Sequence, residues 1–158
     1  MGTLGDSFGA ALAGLKQQMV DSNLTPGAVI YMVCPFTTPV KSKYLVVGCC
    51  EPQLLVLVIN SEVNDFISNN PELLACQVDV PKQDHDFLKH DSIVNCIQTH
   101  EAFNLSAVRG AIMADYSGVY RGRLKDYCIR EVIEAVNRSD VMEVRHCKWI
   151  TAGLSSVI

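Results

Sequence analysis

Gln53-Leu54-Leu55-Val56-Leu57-Val58-Ile59-Asn60 is the stretch on which the fold turns. Its run of branched aliphatics, apolar on both faces of an extended chain, reads as a strand at the centre of a sheet. Two further apolar runs precede it, Ala28 to Cys34 and Lys43 to Cys49, separated by the Pro- and Thr-rich loop 35–42 and by the turn Glu51-Pro52. Connections this short favour antiparallel neighbours. Three adjacent strands built this way predict a mainly β core.

Working outward, Phe8, Leu12, Leu15 and Met19 recur at spacings of three and four, the pattern of one apolar helix face that Asp6 or Ser7 would cap. Asn23-Leu24-Thr25-Pro26-Gly27 is turn chemistry and ends that helix. Past the central strand, 62–68 predicts a single helical turn ended by Asn69-Asn70-Pro71. Leu74, Cys76, Val78 and Val80 then alternate with polar or small residues, as in a half-exposed strand. A further strand covers Ser92 to Gln98, with another near His100 to Asn104. The segment 105–121 has weak periodicity and supports no assignment. From Leu124, the positions Cys128, Ile129, Val132, Ile133 and Val136 give an amphipathic helix to about Arg138. A short strand over Val141 to Arg145 and a loose tail, 151–158, complete the reading. The fold class expected is α+β, mainly β, in one domain over 1–158: a helix in 1–24, a barrel with its closing helix in 25–150, and the tail.

Composition narrows the function classes. With 49% hydrophobic and 19% charged residues, the chain has apolar surface to cover, and a homodimer is expected. The longest aliphatic run, Leu54 to Ile59, is far short of the roughly 20 residues of a membrane span. Phe8 to Leu15 follows Asp6 and no Lys or Arg, unlike a secretory leader. Seven cysteines without CxxC spacing suit a reducing compartment, and a cytoplasmic location is expected. A net charge of −4 argues against coating duplex DNA through a broad basic face. A local basic cleft remains open, its candidates being Lys41 with Lys43, and Arg121, Arg123 and Lys125.

Several runs, in order, resemble the PemK/MazF-like group of endoribonuclease toxins, and its divergent members above all. They are Thr25-Pro26-Gly27-Ala28-Val29-Ile30-Tyr31, Lys43-Tyr44-Leu45-Val46-Val47, Leu57-Val58-Ile59-Asn60-Ser61, Phe87 through Cys96, and Gly122-Arg123-Leu124 leading into the closing helix. The resemblance covers about 25–145 and implies a small SH3-like antiparallel β-barrel with an N-terminal and a closing C-terminal helix, usually dimeric. In the toxin members it further implies a metal-independent RNA-cleaving site near the dimer interface. The toxins' Arg-Pro pair falls here on Lys43-Tyr44, and their Thr or Ser after the third strand falls on Ser61, beside Asn60. A lysine is a point charge where arginine offers a planar fork, so the first exchange is not conservative at a phosphate clamp.

Cleaving RNA without metal requires a deprotonated 2′-hydroxyl, a stabilised phosphorane and a protonated leaving oxygen. Lys43 and Ser61 are the catalytic candidates implied, with His90 and Asp91 as weaker proton-handling ones. Lys41, Tyr44, Asn60, Arg121, Arg123 and Lys125 are the RNA-binding candidates, since cations interleaved with aromatics suit single strands. The bland alternatives are a solvated Lys43, a Ser61 that caps the turn at 62–68, an Asp91 that closes a turn and a solvated basic face. His85, His90, Cys96 and His100 match no standard zinc spacing, so neither metal nor other cofactor is expected. Cys49 and Cys50 point to opposite faces of a continuing strand, and nothing fixes a base for a thiol nucleophile. The expected partners are a second copy and single-stranded RNA or an antitoxin or other regulatory protein. A catalytically silent RNA- or protein-binding relative, or a structural oligomeric subunit, is the alternative to an active ribonuclease.

Overall fold

The computed structural model describes residues 3–158. Its elements run α1 (Leu4–Asn23), β1 (Ala28–Cys34), β2 (Lys41–Cys49), β3 (Leu55–Asn60), α2 (Asp65–Ser68), α3 (Pro71–Leu74), β4 (Gln77–Val80), β5 (Ser92–Asn95), α4 (Leu105–Ala114), α5 (Tyr116–Val119), β6 (Tyr120–Arg123), α6 (Asp126–Arg138) and α7 (Val144–Ser155). The fold is α+β. Six strands in the order β4-β5-β3-β2-β1-β6, antiparallel throughout, curl into a half-barrel. β3 lies inside the sheet, and Leu55 to Ile59 are buried, as a strand apolar on both faces requires.

Alternation along the strands sends side chains into two separate cores. Val29, Val46, Leu57, Ile59 and Val94 pack with Ile129, Val132 and Val136 of α6 and Ile150 and Leu154 of α7. Ile30, Leu45, Val47, Val56 and Val58 pack on the other face with Val20, Leu24, Val108 and Ile112. The register confirms the two faces, Val29 lying opposite Val46 and Ile30 opposite Leu45. Helices thus cover both sides of the sheet.

Several expectations are corrected. Val141–Arg145 is not a strand and 151–158 is mostly not a tail: both regions contribute to α7, whose His146-Ile150-Leu154 stripe is buried, with Met142 buried just ahead of it. No strand forms at His100 to Asn104. His100 makes an isolated bridge to Val56, and Asn104 caps α4 through its side chain. Leu74 belongs to α3, started by the Asn70 cap and Pro71, so that β4 begins at Gln77. Similarly, β5 stops at Asn95. At the other end, Thr3 rather than Asp6 or Ser7 caps α1, in a capping box with Asp6. Among the described residues no helix is long and apolar enough to cross a membrane.

Candidate functional site

Polar chemistry gathers where β1, β2 and β6 run side by side, at Tyr31, Tyr44 and Arg121. Tyr31 and Tyr44 are cross-strand partners with ring centroids 4.8 Å apart. The Arg121 guanidinium carbon lies 6.0 Å from the Tyr31 ring and 5.9 Å from the Tyr44 ring, within cation–π range. Tyr44 donates its hydroxyl to the Phe87 carbonyl at 3.2 Å. Phe87 in turn occupies the space a Cβ at Gly122 would need, 2.6 Å from its Cδ1, and Gly122 has φ of +154°. Gly122 therefore lets β6 bring Arg121 to the two tyrosines while Phe87 closes over it.

Beside this cluster opens a cleft of about 380 Å³, lined among others by Tyr31, Lys41, Lys43, Tyr44, Asn60, Ser61, Lys89 and His90. Glu62 is the one acidic residue on its wall. His90 points Nδ1 at the Asp91 carbonyl, 3.0 Å away, and at the Ser92 hydroxyl, 3.3 Å away. A ring nitrogen facing a carbonyl carries the proton, so in the neutral imidazole Nε2 is the basic nitrogen. Ser61 is exposed, and the N-cap of α2 is Asn64, which accepts the Ile67 amide. The Ser61 hydroxyl is therefore not engaged as a helix cap.

Lys43 and Asn60 border the cleft differently. The register Leu45 to Val58 sets Lys43 opposite Asn60 on the face of those two residues, away from Tyr44 and Ile59. Lys43 Nζ donates to Asn60 Oδ1. Partial burial holds the Lys43 ammonium below the usual lysine range, the Lys41 charge adds to that, and Cys34 opposes it.

Other expected site residues lie apart. Asp91 accepts the Lys82 amide at 2.9 Å and lines a neighbouring recess with Ser61 and Asp79. Arg123 donates to the Pro26 carbonyl at 3.1 Å and the Val157 carbonyl at 3.2 Å, tying the β1 entrance to the chain beyond α7. Lys125 sits with Tyr127 and Arg130 in a separate shallow recess. Tyr31, Phe87 and Lys89 belong to the cluster and cleft but were not singled out as site residues from sequence. The pairing of β1 with β2 would have found Tyr31, and its neighbour His90 would have pointed to Lys89.

His85, His90 and His100 are separately engaged: His85 bonds the Pro81 carbonyl at 2.8 Å and the Lys125 amide at 3.1 Å, and His100 stacks on Phe36 at 3.9 Å. Burial pushes the Cys49 and Cys50 thiols up to about 11, unsuited to a nucleophile near neutrality. No family model matches the chain, and no curated protein matches it.

Proposed function

We propose that this chain is a single-stranded RNA-binding module of the SH3-like, PemK/MazF-like barrel type, with its strand held in the Lys41–Lys89 cleft. The observation that carries the reading is the gathering of Lys41, Lys89, His90 and Arg121 around a pair of cross-strand tyrosines in a chain whose net charge is −4. Lysines attract the phosphates as point charges, and an aromatic face accepts a base whatever its identity.

Metal-independent cleavage by the same cleft is the second reading, favoured by His90 and Ser61. His90 Nε2 would take the proton of a ribose 2′-hydroxyl. The 2′-oxygen would then attack phosphorus and expel the 5′-oxygen, which takes a proton from solvent, leaving a 2′,3′-cyclic phosphate. The Ser61 hydroxyl and the cleft lysines would hold the phosphorane oxygens. Lys43 would contribute charge from the other face of β2.

The test is fluorescence anisotropy with short labelled RNA in excess chelator, run alongside gel analysis of the same RNA. Lys41→Ala with Lys89→Ala, and separately Tyr31→Ala, are expected to weaken binding, by about 1–3 kcal/mol for the lost stacking face. Fragments ending in cyclic phosphate, lost in His90→Ala, would add the enzymatic reading. Absence of RNA binding at low salt would overturn both.

A further inference from the structure

Helix α1 is built unlike the rest of the molecule. Val20 alone among its residues is buried, and Leu4, Phe8, Leu12, Leu15 and Met19 are all more than half exposed, from 51% at Leu12 to 88% at Leu4. A helix this apolar on its outer face is ordinarily covered. Gly5, Gly9 and Gly14 weaken it further, and nothing lies within 4 Å of a Cβ built at Gly9 or Gly14. An isolated helix of this length is marginal in water even with good formers. Its capping box nevertheless marks a defined helical start.

Phe8, Leu12, Leu15 and Met19 follow the 4-3-4 spacing of a coiled-coil seam. Such a seam is complementary to itself. With a two-fold axis between Ala13 and Gly14, an antiparallel copy sets Phe8 against Met19 and Leu12 against Leu15, each large side chain meeting an apolar one. Flanking positions Gly9, Ala11 and Gln18 are small or neutral, and Lys16 faces Gly9 of the other copy, so no like charges meet. Antiparallel pairing also keeps the two folded bodies, each joined at the Asn23 end, at opposite ends of the pair. A charged partner is disfavoured by the scarcity of ionic groups on α1, where Asp21 is already paired with Arg109 at 2.6 Å. An anionic lipid surface is disfavoured for the same reason, because Lys16 is the single cation of the helix. Five such side chains offer roughly 500 Å² of apolar surface per copy, about 1,000 Å² for the pair, where specific interfaces begin.

From this we infer that α1 is a dimerisation element, and that its occupant is the α1 helix of a second copy in antiparallel, two-fold contact. The pairing lies on the far side of the sheet from the Tyr31–Tyr44 face and does not depend on RNA binding.

Sedimentation of the full chain between about 1 and 300 µM, the range in which interfaces of this size dissociate, tests it. The mass is expected to rise from 17.4 kDa to twice that value. Leu12→Glu with Leu15→Glu is expected to weaken dimerisation at least tenfold, since it sets carboxylates into the seam. Unchanged near-ultraviolet dichroism would show that the body stays folded, and Phe66→Glu, at an exposed position elsewhere, should leave the dimer intact. Spin labels at Ser7→Cys should stand about 20 Å apart along the helix axis. A wild-type monomer throughout, a double variant that dimerises equally, labels side by side, or a monomer that instead binds phosphatidylcholine vesicles would each overturn the inference.

Discussion

Gly153→Ala and Gly110→Ala make a pair in which helix propensity predicts one sign and packing predicts two. Both glycines sit inside helices, α7 and α4, and neither has a positive φ. On propensity alone, each replacement stabilises by up to about 1 kcal/mol. At Gly110 nothing lies within 4 Å of the added Cβ, so that gain should be realised. At Gly153 the Cβ would stand 2.8 Å from the Gly48 carbonyl oxygen, 3.0 Å from Cys49 Cβ and 3.2 Å from Cys49 Cα. These are main-chain or Cβ atoms of β2, which no rotamer change can move. From the other side, a Cβ at Gly48 would meet Ile150 Cγ1 at 3.0 Å, so helix and strand interlock and α7 must lift as a body. Overpacking of this kind costs about 1–3 kcal/mol, and a rigid neighbour puts it at the upper end. Net of propensity, Gly153→Ala should destabilise by about 2 kcal/mol, a Tm fall of roughly 4–8 °C for a chain of this size. Gly110→Ala should raise Tm by roughly 2–3 °C. Thermal and urea unfolding followed by dichroism measure both. Stabilisation by Gly153→Ala equal to that of Gly110→Ala would refute the close contact between α7 and β2.

Arg123→Met should lower stability by about 1–3 kcal/mol, because it strands the Pro26 and Val157 carbonyls, yet leave RNA affinity nearly unchanged. Arg121→Met should do the opposite, and urea unfolding with anisotropy separates the two. Burial against Phe36 lowers the His100 pKa from its ordinary 6.5. The unfolded chain therefore binds its proton first, so stability should fall as pH drops through 6.5 towards the lower folded value and be unaffected above it. His100→Asn should flatten that part of the stability–pH curve, and an unaltered slope would count against the burial argument. All seven cysteines are unpaired, and burial raises the thiol pKa of Cys50, half-exposed, to about 11. Iodoacetamide at neutral pH should therefore label the native protein far more slowly than the urea-unfolded chain, as read by intact mass.

What the sequence revealed follows from which periodicities were undisturbed. β1 to β3 were legible because their apolar runs are continuous and the links short, and α6 because Cys128, Ile129, Val132 and Val136 keep a clean helical stripe. α7 was hidden because its stripe passes through His146, a polar residue that is nonetheless buried, and because Gly153 looks like a helix breaker when its neighbour on β2 is unknown. α4 buries only Val108 and Ile112, too few to fix a period. At the site, adjacent residues part company. Lys43 and Tyr44 point to opposite faces, and a register shift between Val29 and Ile30 breaks the regular pairing of β6, so that Arg121 and Arg123 serve different purposes. None of that is carried by residue type.

The electropositive cleft in an acidic chain arises from where the carboxylates are spent. Asp84 receives the Tyr127 hydroxyl, Asp91 the Lys82 amide, and Glu101 lies 3.0 Å from His146 at the far end of the molecule. Lys41, Lys89 and Arg121 are left with little opposing charge nearby, and a concave wall concentrates their field toward an approaching phosphate. Lys43 is the exception. Its ammonium is held by Asn60 on the face opposite Tyr44, so it reaches a bound phosphate only if the strand passes round the end of β2. Lys41, two residues before Lys43 on β2, shares its face, so a strand that stays on the tyrosine face meets Lys89 without either of them. The ranking of Lys43→Ala against Lys89→Ala in RNA affinity therefore reports the path of the strand. A larger loss from Lys43→Ala means a route round the β2 end, through the position that the toxins fill with arginine. A larger loss from Lys89→Ala means a route across the aromatic face, where His90 rather than Lys43 stands next to the phosphodiester.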